Sequence, residues 1–415
     1  KISNVTNALA AGHYHTCALT DNASVKCWGR NNQGQLGIDN DTQMGDDQGE
    51  MALLTGINLG TGHTATAIGA GVQHSCALLD NASVKCWGDN ALGQLGFNNN
   101  TDMGDNSGEM AALPVVKLGT GRTATAISVG EYHNCALLEN ASVKCWGYNL
   151  RGQLGIGSTA DMGNDSGEMA QLTGINLGTG RTATAIVAGF YHTCALLDDA
   201  SVKCWGYNSS GQLGLGDNNN RGDESSEMGD NLPVVDLGSG RTAKAIALGE
   251  VHTCAILDNA SVKCWGQNNF GQLGIGSTNN MGDGSGEMGD NLPSINLGTG
   301  RTATAIAAGL FHTCALLDDA SVKCWGYNLR GQLGIGSTNN MGDGSGEMAQ
   351  LTGINLGTGR TAIAIAAGYS HSCALLDNDS VKCWGRNNHG RLGIGSTDDM
   401  GDDSGEMAAL PSIDL

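Results

Sequence analysis

Proline is nearly missing from this chain, four residues in 415, and aromatic side chains make up only 4% of it. No run approaches the roughly 18 apolar residues that a membrane-spanning helix needs, which excludes a helical span. Positive charge is scarce too: 21 Lys and Arg stand against 41 Asp and Glu, a formal charge of −20. Nucleic-acid binding relies on Lys and Arg to neutralise phosphates, so that partner class is opposed. Phosphate loops, zinc-hydrolase motifs and nucleophile–base–orienter sets are absent, and we expect no enzyme and no catalytic residue. The opening residues, Lys1–Ala10, carry neither an initiator Met nor a recognisable signal peptide, as in a mature or trimmed product.

Glycine (66) and cysteine (14) are abundant, and the cysteines are evenly laid out. A first Cys falls at Cys17, Cys76, Cys135, Cys194, Cys254, Cys314 and Cys373. Its mate follows at Cys27, Cys86, Cys145, Cys204, Cys264, Cys324 and Cys383. Successive repeats are therefore 59 or 60 residues long, the longer ones carrying one extra residue at Gly229–Asn231 and Gly289–Asn291. The C-terminal LPSIDL matches LPSINL at Leu292–Leu297, so the chain stops at the register where it began.

Each repeat shows four short segments of period-2 alternation: SINL (Ser294–Leu297), TATAIAAG (Thr302–Gly309), HTCALL and SVKCWG. Repeated short antiparallel strands without atypical capping repeats describe a closed propeller. The expectation is all-β: one seven-bladed propeller over residues 1–415, four strands per blade. The C-terminal strand should join the N-terminal blade and close the ring.

Pairing Leu19 with Val25 sets Cys17 opposite Cys27, with Cβ atoms roughly 4.5–5.5 Å apart, near disulfide geometry. Zinc is the competing reading, because His15 shares their face, but no fourth ligand recurs. Reduced core thiols are a third reading; a redox pair would favour Cys-x-x-Cys, which is absent. Each bridge would close a loop of about 11 residues and contribute about 3 kcal/mol. Disulfides in every repeat imply an oxidising compartment: extracellular, cell-surface or periplasmic. Hairpin-tip sequons at Asn22, Asn81, Asn140, Asn259 and Asn378 fit N-glycosylation, and equally fit Asn as a turn former.

Chain direction sorts the loops onto two rims. The lower rim holds monotonous turns. The upper rim holds an aromatic-rich dipeptide that changes in every blade, and nine of its members are candidate partner contacts: His13, Tyr14, Glu131, Tyr132, Phe190, Tyr191, Leu310, Phe311 and Tyr369. The residues after Trp-Gly vary as well, as in Tyr148–Arg151 against Gln267–Phe270. The long connections that follow hold 26 of the 41 acidic residues and a single base, Arg221, so the negative charge forms a ring on one rim. Oxygen-rich, glycine-flexible loops suit Ca²⁺. Its candidate ligands are Asp46, Glu50, Asp105, Glu109, Asp223, Glu227, Asp283, Glu287, Asp343, Glu347, Asp402 and Glu406; a solvated acidic rim is the alternative. All 13 Met bracket these loops as apolar anchors.

The words HTCALL, VKCWG and GQLG resemble the regulator of chromosome condensation family across all seven repeats, which implies seven-bladed propellers. Paired cysteines and the acidic insert depart from nuclear members; the chain looks more like extracellular microbial members. Light sensing, which one member performs with clustered tryptophans, is opposed by the single Trp per blade, as at Trp28. The expected function is a secreted or cell-surface structural and interaction module, an adhesive, wall or appendage component. Its acidic rim would bind a protein or glycan, through self-association or within a longer chain. The alternative is a secreted inhibitor, since one family member blocks β-lactamases. Guanine-nucleotide exchange and chromatin binding are opposed by the cysteines and the charge.

Overall fold

The computed structural model describes residues 8–413 and Leu415. Among them, 21 strands form seven three-stranded antiparallel sheets, each built from consecutive strands. In the first blade the inner, middle and outer strands are Leu9–Ala11, His15–Leu19 and Val25–Gly29; in the seventh they are Ala362–Ala367, His371–Leu376 and Val381–Gly385. No helix of the described residues is long and apolar enough to cross a membrane. One-turn helices such as Glu50–Leu53 sit in the acidic connections, and the two one-residue insertions form 3-10 turns at Gly229–Asn231 and Gly289–Asn291.

The fourth strand of each blade differs from expectation. Ser294–Leu297 is extended, but a single backbone hydrogen bond joins it to a sheet, from Ile295 N to Val262 O at 2.9 Å. Ile57, Val116, Ile175, Val235, Ile354 and Ile413 repeat this bond to Val25, Val84, Val143, Val202, Val322 and Val381. Each segment thus lies outermost on the preceding hairpin. Its alternation is real, with Ile295 and Leu297 buried and Ser294 and Asn296 exposed. Alternation reports which side chains are covered, and a strand held by one bond alternates as well as one in a full ladder.

At the C-terminus Ile413 accordingly bridges Val381 of the seventh hairpin; residues 1–7 lie outside the described residues. The seventh and first blades meet directly: Tyr369 N donates to Gly12 O at 3.3 Å, and His371 bonds Thr16 at 2.9 Å.

Blades pack face to face. Cys17, Cys27 and Val25 from one blade lie against Ala77, Leu79 and Trp87 of the next, and the other interfaces repeat this set. Cys and Trp are adjacent in sequence, so a strand sends them to opposite faces. Every tryptophan is completely buried.

A polar relay runs through the same interfaces. His15 Nε2 donates to Ser75 Oγ at 2.8 Å. Ser75 Oγ donates to the backbone oxygen of Gln35 at 3.0 Å, which also accepts from Trp87 Nε1 at 3.0 Å. The middle-strand histidine of each blade reaches Asn134, Thr193, Thr253, Thr313, Ser372 and finally Thr16 in turn. These are distances of a nucleophile–base pair, with the proton running the other way. The hydroxyl gives its hydrogen to a carbonyl, and Nδ1 of all seven histidines has no partner to orient it.

Burial holds His15, His133, His192, His252 and His312 down at about 3, so the ring is neutral. In the unfolded chain histidine titrates near 6.5. The unfolded state therefore binds more protons below that pH, and stability falls with pH from about 6.5 toward 3. Calorimetry should show a melting temperature that drops steeply between pH 6.5 and 5, before most carboxylates titrate. A flat profile to pH 5 would contradict the neutral ring.

The cysteines pair across each hairpin in the expected register, Leu19 opposite Val25 and Cys17 opposite Cys27. All seven disulfides form, from Cys17–Cys27 to Cys373–Cys383, with Cα atoms 4.1 Å apart, and no described cysteine is free. Mass spectrometry of the untreated protein after alkylation should find no modified thiol. Replacing one pair by Ala should cost on the order of 3 kcal/mol of stability in denaturant titration.

Candidate binding surface

The inner strands from all seven blades converge on a central cavity of about 90 Å³. Small residues permit this approach: a Cβ on Gly71 would sit 2.6 Å from Gly130 O of the next blade. The cavity is capped by the first member of the variable dipeptide. His13 stacks on Tyr369 with ring centroids 3.4 Å apart, and Phe190 lies 6.5 Å from His13 and 6.3 Å from Tyr369. Leu310 and Glu131 are buried there, 5% and 7% exposed. Backbone bonds from Val72 to Glu131, Glu131 to Gly189 and Leu310 to Tyr369 tie this cap together.

One cap contact is electrostatically unusual. His13 Nδ1 and Glu131 Oε1 are 3.1 Å apart. Burial pushes Glu131 up to about 8 and His13 down to about 3. The pair is thus neutral at pH 7, with the carboxylic acid donating to the imidazole.

The aromatic second members of the dipeptides, Tyr14, Tyr132, Tyr191 and Phe311, meet residues after Trp-Gly. Tyr191 lies 6.5 Å from Tyr132, 6.4 Å from Tyr148 and 6.2 Å from Tyr207, and Arg151 covers the Tyr207 ring at 5.0 Å. A second cluster brings Phe270 within 5.1 Å of Phe311 and 4.8 Å of Tyr327. Between the clusters lies a cavity of about 310 Å³, lined by Tyr148, Arg151, Tyr191, Tyr207, Glu250 and Phe311 among others. Across the face, at the seam of blades seven and one, Arg30 and Arg391 lie 4.9 and 5.4 Å from the Tyr14 ring. Arg391 replaces the Gln of GQLG; it is fully buried and donates to His13 O at 2.7 Å.

A model of the RCC1-like domain matches residues 1–342, and the regulator of chromosome condensation (RCC1) repeat matches 362–391. The chain belongs to the RCC1-like family. The ultraviolet-B receptor UVR8 of Arabidopsis thaliana is 28% identical over 395 residues, covering 94% of this chain and 79% of the receptor. The human probable E3 ubiquitin-protein ligase HERC6 is 31% identical over 270 residues, 65% of this chain and 24% of the ligase. Yeast RCC1 (Prp20), solved with Kap60, has a TM-score of 0.67 at 21% identity, over 87% of this chain and 77% of that one. Human WBSCR16 gives 0.66 at 18% identity, over 90% and 85%. Those two likenesses establish the fold alone.

Within this RCC1-like ring the acidic connections have their own geometry. Glu287 Oε2 accepts from the backbone N–H of Gly282 at 2.8 Å and Gly284 at 2.7 Å. Glu50, Glu109, Glu227, Glu347 and Glu406 turn back onto the same backbone positions. Burial, with the neighbouring Glu109, Glu287, Glu347 and Glu406, pushes Asp105, Asp283, Asp343 and Asp402 up. The glutamates among the expected ligands thus hold backbone N–H groups, and no group of three or more metal-ligating side chains converges among the described residues. The bracketing methionines behave as anchors, with Met51, Met110, Met169, Met348 and Met407 buried.

The sequon asparagines lie on the opposite, lower rim. Asn81 Oδ1 accepts from Ser83 N at 3.0 Å and Ser83 Oγ at 2.6 Å, and Asn22, Asn140, Asn259 and Asn378 also bond the serine two residues on. Asp199 and Asp319 make the same bonds where Asn is absent. Because the acidic loops close on their own backbone, EGTA should leave the melting temperature unchanged within about 1 °C. A fall that added Ca²⁺ reverses would instead assign a metal to Asp46 and Glu50 or their counterparts.

Proposed function

We propose that this RCC1-like propeller is a secreted or cell-surface interaction module, working as one unit over residues 1–415, that binds a protein or glycan through its upper rim. The observation that carries the reading is the convergence of variable positions. Repeats that agree almost letter for letter differ at the residues ringing the channel cap, and aromatic side chains are concentrated there. Tyrosine, phenylalanine and arginine are the usual anchors of such surfaces.

Seven disulfides support an oxidising compartment. Glycans at Asn22, Asn81, Asn140, Asn259 or Asn378 would coat the lower rim. Calcium joins this reading only through the acidic loops, which the EGTA measurement decides. An adhesive, wall or appendage role, by self-association or within a longer chain, accords with such a module.

A second reading, a secreted protein inhibitor, draws on the His13–Tyr369–Phe190 stack over the channel, an aromatic patch of the kind that covers another protein's active site. Guanine-nucleotide exchange and chromatin binding are not proposed, because the charge of −20 opposes them.

The test is a triple variant, Tyr132→Ser, Tyr191→Ser and Phe311→Ser, compared with wild type on glycan arrays and in cross-linking to the producing cell's surface. Retention should fall at least tenfold while the melting temperature moves little. Unchanged retention, or equal loss on altering Asn81 and Asn140 of the lower rim, would overturn the assignment of the face.

A further inference from the structure

The cavity between the tyrosine and phenylalanine clusters contains an unmatched charge. Glu250 is half-buried in its wall, and among the described residues its carboxylate has no hydrogen bond and no ion pair. The comparison with Glu131, the other acid in the variable dipeptides, is instructive: that carboxyl is matched by His13 and by a side-chain hydrogen bond from Tyr191. The nearest base lining the cavity, Arg151, packs over Tyr207 instead of pairing with Glu250.

A carboxylate removed from water without a partner is costly. The surrounding groups do nothing to offset it. Tyr148, Tyr191, Tyr207 and Phe311 form the walls, and Val251, 8% exposed, is also part of the lining. Aromatic faces carry negative potential and attract cations, more strongly when water is excluded. Acid and ring faces thus favour the same sign of guest, at a site with space for a side chain.

We propose that this cavity receives a cationic side chain, the lysine ammonium or arginine guanidinium of a protein partner, with Glu250 as its counter-ion and Tyr191 and Phe311 as its walls. The proposal rests on the upper rim being the binding face and names the chemistry recognised there. A metal ion is a poorer guest, since the lining offers one carboxylate and no histidine or cysteine. Burial pushes Glu250 up to about 7. Its carboxylate therefore ionises as pH rises through neutrality, and affinity for a cation rises with it. Glu131, Tyr191 and Tyr369 interact with it from neighbouring blades, and only Glu131 titrates in the same range, adding negative charge in the same direction, while Arg151 stays cationic throughout.

The experiment titrates acetyl-Gly-Lys-Gly-amide and its arginine analogue into the intact protein, following tyrosine and phenylalanine ring resonances by NMR. The norleucine and glutamate tripeptides are controls. The lysine or arginine peptide should bind, with affinity rising severalfold from pH 6 to 8. Glu250→Gln should weaken it at least tenfold at pH 8 and flatten most of the pH dependence, leaving only the part due to Glu131, while keeping the wild-type melting temperature. Arg151→Gln should leave it unchanged or tighter. Equal binding of norleucine, stronger binding of glutamate, an unaffected Glu250→Gln variant, or loss on Arg151→Gln would each overturn the proposal. So would the absence of binding by both cationic peptides at tens of millimolar. If that absence accompanied loss of retention in the triple rim variant, the binding face would stand and only the pocket's chemistry would fall.

Discussion

One backbone carbonyl per interface, that of Gln35 and its counterparts, fixes how this ring is put together. It accepts from the indole of the next blade's tryptophan and from the hydroxyl that the preceding blade's histidine addresses. Three side chains from two blades and a loop are thereby held at hydrogen-bond distance in a dry interface. A buried polar group left without a partner costs about 1–3 kcal/mol, so none of the three can be removed alone without penalty. The requirement is chemical rather than literal. Asn134 stands where other blades have Ser or Thr, and its amide donates to Gln94 O while its oxygen accepts from His74. Arg391 replaces the glutamine side chain altogether, yet its carbonyl still accepts from Thr16 and Trp28.

The same constraint explains where variation is tolerated. Residues that complete the relay, pack beside a disulfide or fill the glycine-lined channel each have partners in two blades. The lower turns are fixed by Asn or Asp bonding the serine two residues on, and the acidic loops by a glutamate on its own backbone. What remains is the upper rim, where a side chain answers mainly to its immediate neighbours. Change accumulates there without disturbing the ring, and neighbouring changes combine into sectors: arginines at the seam, tyrosines and a lone carboxylate across from it.

Much of this was legible in the sequence because the repeats are nearly identical. Seven Cys-x9-Cys hairpins led to the blade number, the register of Leu19 on Val25 and the bridges that follow from it. The dipeptide before each middle-strand histidine stood out because everything around it repeats. The fourth strand misled, since Ile295 and Leu297 alternate with exposed residues whether or not a ladder forms. The acidic loops offered oxygen ligands by composition, but composition is silent on direction, and Glu287 turns inward to glycine N–H groups. Arg391 and Glu250 were readable only as letters. That one has no carboxylate partner and the other no cation depends on blades distant in sequence, and no local pattern encodes it.

The channel itself argues against a conduit and for the rim. Its cavity is small, its walls are alanine and glycine with Val129 and Leu248, and its mouth is closed by stacked rings and by a neutral Glu131–His13 pair. An ionised acid at that depth would draw in water or a counter-ion; protonation lets it pack as an ordinary hydrogen-bonding group. The first member of each dipeptide thus mostly seals the axis, while the second members and the residues after Trp-Gly form the face a partner could touch. Glu250 is the exception, an acid at the inner edge of the rim with no histidine across from it. That vacancy opens onto a cavity between two aromatic clusters, and there recognition should be sought.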